Sequence, residues 1–176
     1  MTTILETDRL VLRPWTLDDA EAAFAILGDP EVTRYLGEDG KPFPDLAYAR
    51  AWLERIEARY AAWGRFGNWA ALERATGEIV GGGGLIELDD GPDVEVFYHF
   101  RADRWGLGYA TELTRALIGY AFDRLDLPRV VGVAYPANTA SHRVMQKAGM
   151  THEGRREAYG TDMEFFIIDR PPLQQS

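Results

Sequence analysis

The stretch "RWGLGYATEL", residues 104–113, sets Gly106 and Gly108 one residue apart just ahead of a helical pattern. Glycines so spaced mean that the chain turns where a Cβ would clash, or that something comes close to the main chain. A helix start bared in this way presents unpaired amide N–H groups and the positive end of the helix dipole, which suits an anion such as a phosphate. Two common owners of such turns are excluded. A dinucleotide fingerprint needs glycine at its first, third and sixth positions, and counting from Gly106 the sixth is Thr111. A Walker A loop needs Gly-Lys-Ser/Thr, which occurs nowhere in the chain. A tight turn without a ligand stays open on this evidence alone. A second polar cluster, "NTASHRVMQKAGM" at residues 138–150, places Asn138 and Ser141 at a helix start and Lys147 near its end. Helix capping by itself accounts for the first two.

Acid–base groups are few. Glu95 and His99 share one face of the extended run "DVEVFYHF" by the two-residue period of a strand. His142 and His152 stand apart from them, and nothing spaces the histidines as metal ligands, so no metal is expected. The chain has no cysteine, which excludes disulfides, thiolate metal sites and a thiol nucleophile. A net charge of −9 opposes binding to phosphate backbones and argues against nucleic acid as a partner. An acidic rim could favour a cationic substrate, but solubility is the simpler account of the charge.

The elements that must position these groups follow from pattern. With 176 residues, 46% hydrophobic and 27% charged, the chain reads as one soluble domain over residues 1–176 with a short tail at 171–176. No stretch approaches the roughly 18 apolar residues of a membrane span. The opening "MTTILETDRLVLRPW" lacks the features of a signal peptide, so a cytoplasmic location is expected. "RLVLRPW" alternates as a strand from Arg9 to Arg13, and Thr16 with Asp19 resembles a capping box opening a helix that runs to Gly28. Residues 29–45, with Pro30, Gly37, Gly40, Pro42 and Pro44, read as a loop holding at most one helical turn. Apolar residues from Leu46 to Trp63 recur at helical steps, ending at Gly64. A hairpin turning at Thr76 and Gly77 follows, then the 93–100 strand, a helix from Ala110, the valine-rich strand "RVVGVAY", a helix from Thr139 to Ala148, and strands starting near His152 and after Gly160. The four glycines from Gly81 to Gly84 imply a bulge or a close backbone approach. The order gives an α/β (α+β mixed) architecture, with an antiparallel front half and a central parallel crossover.

Taken in order and spacing, "TDRLVLRPWTLDDAEA", "TGEIVGGGGL", "WGLGYATEL", "NTASHRVMQKAGM" and "EGRREAYGTDMEFFIIDR" resemble the GNAT superfamily of acyl-coenzyme A-dependent N-acetyltransferases, within it the RimJ/RimL-like branch, over nearly the whole chain. Trp105 stands where many superfamily members carry Gln or Arg. The resemblance implies a mostly antiparallel twisted sheet of six to seven strands with about four helices, and acetyl-CoA as cofactor. It implies that the pyrophosphate sits on the backbone of Trp105, Gly106, Leu107, Gly108, Tyr109, Ala110 and Thr111. The pantetheine arm would pair with the strand through Tyr98, Phe100 and Arg101, with Asn138, Ser141 and Lys147 also on the cofactor side. It makes Glu95 the general base, with His99 as a weaker alternate, and Ser141 the acid, with Tyr135 as its substitute. An N–H at Phe100 or Arg101 would stabilise the oxyanion. Trp15, Tyr35, Phe43 and Trp69 would form the acceptor pocket. The implied reaction moves an acetyl group to a primary amine, either a small molecule or a protein N-terminal α-amine. With no cysteine for an acyl-enzyme, the amine attacks directly within a ternary complex. A non-catalytic acyl-CoA-binding module is the alternative, and the molecule would be a monomer or homodimer.

Overall fold

A computed structural model describes residues 2–36, 40–64 and 66–172. Gly37 and the tail from residue 173 onward lie outside the described residues. In chain order the elements are β1 (Leu5–Glu6), β2 (Leu10–Pro14), α1 (Ala20–Leu27), α2 (Pro30–Thr33), α3 (Leu46–Trp63), β3 (Gly67–Glu73), β4 (Ile79–Glu87), β5 (Val94–Phe100), α4 (Tyr109–Asp123), β6 (Arg129–Ala134), α5 (Thr139–Lys147), β7 (Thr151–Ala158) and β8 (Thr161–Asp169). They build one sheet in the order β1-β2-β3-β4-β5-β6-β8-β7. Every neighbouring pair is antiparallel except β5 and β6.

Among the described residues the sheet thus has eight strands rather than six to seven, and there are five α-helices rather than about four. The added strand, Leu5–Glu6, is two residues long and too short to show an alternation. The added helix, Pro30–Thr33, is a single turn with proline at its start and an Asp29 cap that accepts the Glu31 N–H at 2.8 Å. Elsewhere local chemistry sets the boundaries as the sequence leads one to expect. Asp19 accepts the Thr16 N–H at 2.8 Å, the carboxylate half of a capping box. Asp45 accepts the Tyr48 N–H at 2.8 Å and opens α3, which Gly64 ends at φ +61°. Arg13 and Asp19, both buried, then form a two-pronged ion pair at 2.6 and 2.8 Å that ties β2 to the start of α1.

Each face of the sheet is covered. On one, α4 and α5 pack over a core that includes Leu10, Leu12, Leu85, Leu113 and Leu117, all fully buried. Burying each such leucine contributes roughly 1.5–3 kcal/mol. On the other, α1, α2 and α3 close over Trp15, Ile26, Leu53 and Ala70. The glycine run of β4 shows both close approach and, beside it, a register shift in which Ala71 pairs with Gly81 but Leu72 with Ile79. A Cβ on Gly81 would meet the Phe100 ring at 2.6 Å, and one on Gly84 would lie 1.7 Å from the Gly67 carbonyl oxygen.

The joint between β5 and β6 positions the site. These strands share one register pair, Glu95 with Val131. Parallel pairing stops there, and a cavity of about 380 Å³ opens between Val96–Tyr98 on one strand and Val133–Tyr135 at the end of the other.

Candidate active site

Residues from distant segments meet around this cavity: Glu95, Phe97 and Tyr98 from β5, Ala134 and Tyr135 from the end of β6, Asn138, Ser141 and Met145 at α5, Tyr35 and Leu36 after α2, and Tyr159 and Met163 from the last hairpin. Glu95 is buried. Burial pushes its carboxyl up to about 7, against the hydroxyl of Tyr159, which donates to Oε2, while the nearby Asp89 charge adds to the rise. A carboxyl balanced near neutrality is suited to taking a proton from an amine.

Ser141 lies at the other end of the polar lining. Its hydroxyl is 2.8 Å from the Tyr98 hydroxyl, and its N–H donates to Asn138 Oδ1 at 3.2 Å. Asn138 therefore caps α5 and lines the cavity at once. Burial holds the Tyr98 hydroxyl in its protonated form, at about 12. Tyr135 also lines the cavity, its ring 6.0 Å from that of Tyr35. Nε2 of His142 sits 3.1 Å from the Tyr135 carbonyl oxygen.

The glycine turn lies between β5 and α4. Gly106 and Gly108 take φ values of +77° and +84°, the left-handed region that favours glycine. Among the described residues no backbone N–H from Gly106 to Thr111 donates to a protein carbonyl, and the first bond of the helix runs from Glu112 N to Gly108 O at 3.0 Å. Gly106, Leu107 and Gly108 are exposed, and a Cβ on Gly106 would meet nothing within 4 Å. This cradle of uncommitted donors at a helix start fits a diphosphate. Arg101 N donates to Val80 O at 2.9 Å, toward β4. By the alternation of a strand, Tyr98 and Phe100 turn their main-chain groups the opposite way, toward the divergence, where an amide-bearing arm can pair. Trp105 donates from Nε1 to the Phe100 carbonyl at 2.9 Å, which fixes a ring that stays 51% exposed.

Several expected residues stand elsewhere. The Arg101 N–H, bonded to Val80, has no donor left for an oxyanion. Trp15 and Trp69 are buried core residues, packed edge-on against Trp52 and Tyr120. Phe43 packs on Tyr48 and Trp52. Of the four aromatic residues expected at the acceptor pocket, Tyr35 alone lines the cavity. The Tyr109 side chain is buried and donates to Glu73 at 2.6 Å, leaving its backbone to the turn. The Lys147 side chain is exposed, and its carbonyl accepts two bonds from Arg115, at 2.6 and 3.1 Å. His99 lies outside the cavity lining.

Two residues escaped sequence reasoning. Arg9 donates to the Leu107 carbonyl at 2.8 Å and to Glu112 at 2.6 Å, bracing the glycine turn from the bend just before β2. No local pattern announces that contact, which spans 98 residues of chain. Tyr159 did leave a signal, because a tyrosine followed by glycine stands where a two-residue turn usually has asparagine or aspartate.

Comparison with known proteins agrees with this geometry. The acetyltransferase (GNAT) domain family model matches residues 9–151. The chain is 34% identical over 157 residues to the uncharacterized N-acetyltransferase YoaA of Bacillus subtilis, covering 89% of this chain and 87% of that protein. It is 33% identical over 161 residues to the FsC-acetyl coenzyme A-N(2)-transacetylase of Aspergillus fumigatus, covering 84% of this chain and 65% of that protein. Among solved structures, RimJ of Mycobacterium smegmatis in complex with CoA-disulfide superposes with a TM-score of 0.77 at 24% identity, over 95% of this chain and 85% of that one. The protein belongs to the GNAT acetyltransferase family and is an N-acetyltransferase that uses acetyl-CoA.

Proposed function

We propose that the protein transfers an acetyl group from acetyl-CoA to a primary amine by direct attack within a ternary complex, with Glu95 as general base and Ser141 as general acid. One observation carries the reading: a buried carboxyl balanced at about 7 and a serine hydroxyl line the same cavity, at the point where two parallel strands part. The turn from Gly106 to Thr111 and the open side of Tyr98 and Phe100 would hold the cofactor, which supplies an activated thioester.

Glu95 takes the proton that the acceptor nitrogen loses as its lone pair forms the new C–N bond. Ser141, whose hydroxyl is hydrogen-bonded to that of Tyr98, gives its proton to the sulfur as the C–S bond breaks, and the proton taken up by Glu95 returns through solvent to the serine before the next turnover. The products are an N-acetylated amine and free coenzyme A, so atoms and charge balance without a covalent enzyme intermediate. The absence of cysteine supports direct attack. The order of the five motifs and the superposition on RimJ support a place in the RimJ/RimL-like branch.

The lack of cysteine also makes the test clean, because a thiol-reactive dye meets no protein thiol. Acetyl-CoA is incubated with the protein and with small amines or peptides bearing free N-termini. Thiol release that depends on one acceptor class supports the reading and names that class. Tight acetyl-CoA binding with no release for any amine favours the acyl-CoA-binding module instead.

A further inference from the structure

The hairpin between β7 and β8 breaks a local rule. Ala158 pairs with Thr161, leaving a two-residue turn of Tyr159 and Gly160 with φ values of +52° and +66°. That is the pattern of a type I′ turn, whose first position favours asparagine, aspartate or glycine. A bulky aromatic residue in left-handed backbone is a rarity that needs a reason in its surroundings.

Two contacts supply one. The Tyr159 N–H donates to Asp89 Oδ2 at 2.7 Å, and the Tyr159 hydroxyl donates to Glu95 Oε2. Asp89 is itself left-handed, at φ +48°, in the turn after β4. Two turns with left-handed residues thus clasp each other, and the ring that reaches out of them ends on the buried carboxylate.

We infer that Tyr159 is the positioning residue for Glu95: its hydroxyl holds one carboxylate oxygen, sets the side chain's orientation and leaves the second oxygen for the acceptor amine. This rests on the reading of Glu95 as the general base. A tyrosine at residue 159 takes an unfavourable backbone conformation, and its long side chain carries a hydroxyl from the turn to the carboxylate.

The polar groups that face Glu95 are few and their influences are separable. Tyr159 comes from the last hairpin, Asp89 from the turn after β4, and Tyr98 from its own strand. Ile86 of β4, Val131 of β6 and Met163 of β8 are apolar neighbours. Of these groups, Tyr159 favours the ionised carboxylate, while burial and Asp89 oppose it. Removing the hydroxyl therefore leaves the opposing influences in place.

The test uses the full chain as wild type, Tyr159→Phe and Tyr159→Asn. The Glu95 carboxyl carbon is followed by 13C NMR of glutamate-labelled protein across pH, its resonance assigned by loss in Glu95→Gln. The pH profile of kcat/KM is measured in parallel. In both Tyr159 variants the Glu95 midpoint rises by about 1 pH unit. The acid limb of kcat/KM moves up with it, giving about a five-fold loss at pH 7. An unmoved Glu95 midpoint in Tyr159→Phe overturns the proposal, as does a loss of kcat that is uniform across pH. A shifted midpoint beneath an unshifted acid limb leaves the hold on the carboxylate standing and sinks the assignment of Glu95 as base.

Discussion

The two ends of β5 make an instructive pair. Glu95 near its start and His99 near its end lie on the same face of one strand, four residues apart, and both are buried. At the Glu95 end the neighbouring parallel strand diverges, a cavity opens, and a tyrosine hydroxyl meets the carboxylate. At the His99 end the ring lies above Gly82, where an added Cβ would come within 3.0 Å of it. Its Nε2 has no hydrogen-bond partner among the described residues. Burial drives both groups toward their neutral forms, raising Glu95 to about 7 and lowering His99 to about 4. The same force makes one group a usable base at neutral pH and leaves the other an inert, uncharged packing element. Burial alone does not create a catalyst; access to a cavity and a partner that manages the proton do.

The sharpest way to break this comparison is Glu95→Gln. It should cut kcat/KM by about 10²–10⁴-fold, measured by thiol release, since the base is lost while the shape is kept. In the wild type, protonation below a midpoint of about 7 removes the base, so kcat/KM should fall as pH drops through that value. Retention of full turnover by Glu95→Gln would reverse the roles assigned to the two ends of the strand.

A smaller effect should come from the cofactor side, which binds through main chain rather than side chain. Gly108→Val forces a β-branched residue to φ +84°, with its Cβ 3.5 Å from Arg9 Nη2. The expected result is a rise of about ten-fold in the KM for acetyl-CoA, with kcat nearly kept and the pH midpoint unmoved. A moved midpoint would show that the two parts of the site are coupled.

The smallest effect on turnover belongs to His99→Leu, with kcat/KM within about two-fold of wild type. Its signature is in stability. The unfolded chain takes up the histidine proton near pH ~6.5, whereas the folded protein resists until about 4. Acidification through that window therefore favours unfolding. Thermal melts of His99→Leu should lose less stability than wild type between those pH values. Glu95 acts in the opposite sense, since its folded form holds a proton up to about 7 and the unfolded chain releases it near pH ~4.3, so its contribution to stability falls as pH rises.

Much of the fold was legible because its determinants are local. Asp45 and Gly64 bracket α3 as cap and stop, the Thr76–Gly77 turn closes the β3–β4 hairpin, and the apolar density of β6 matches its burial on both faces. The backbone turn at Gly106 and Gly108 was legible for the same reason, since left-handed φ favours glycine. The acceptor side was not. Trp15, Phe43 and Trp69 look like pocket aromatics in sequence, yet all three pack against other rings, because an aromatic side chain serves a core as well as it serves a pocket.

The amino-acid sequence by itself determined the longer elements, the anion-ready helix start and the exclusion of thiol chemistry, since these depend on residue type and on spacing within a few positions. The tertiary structure alone decided which buried ionisable group meets a cavity, that Arg9 braces a turn 98 residues away, and that Tyr159 reaches Glu95 across 64 residues of chain. Proton affinity depends on solvent exclusion and on the groups within hydrogen-bonding reach, and both are set only when distant segments pack together.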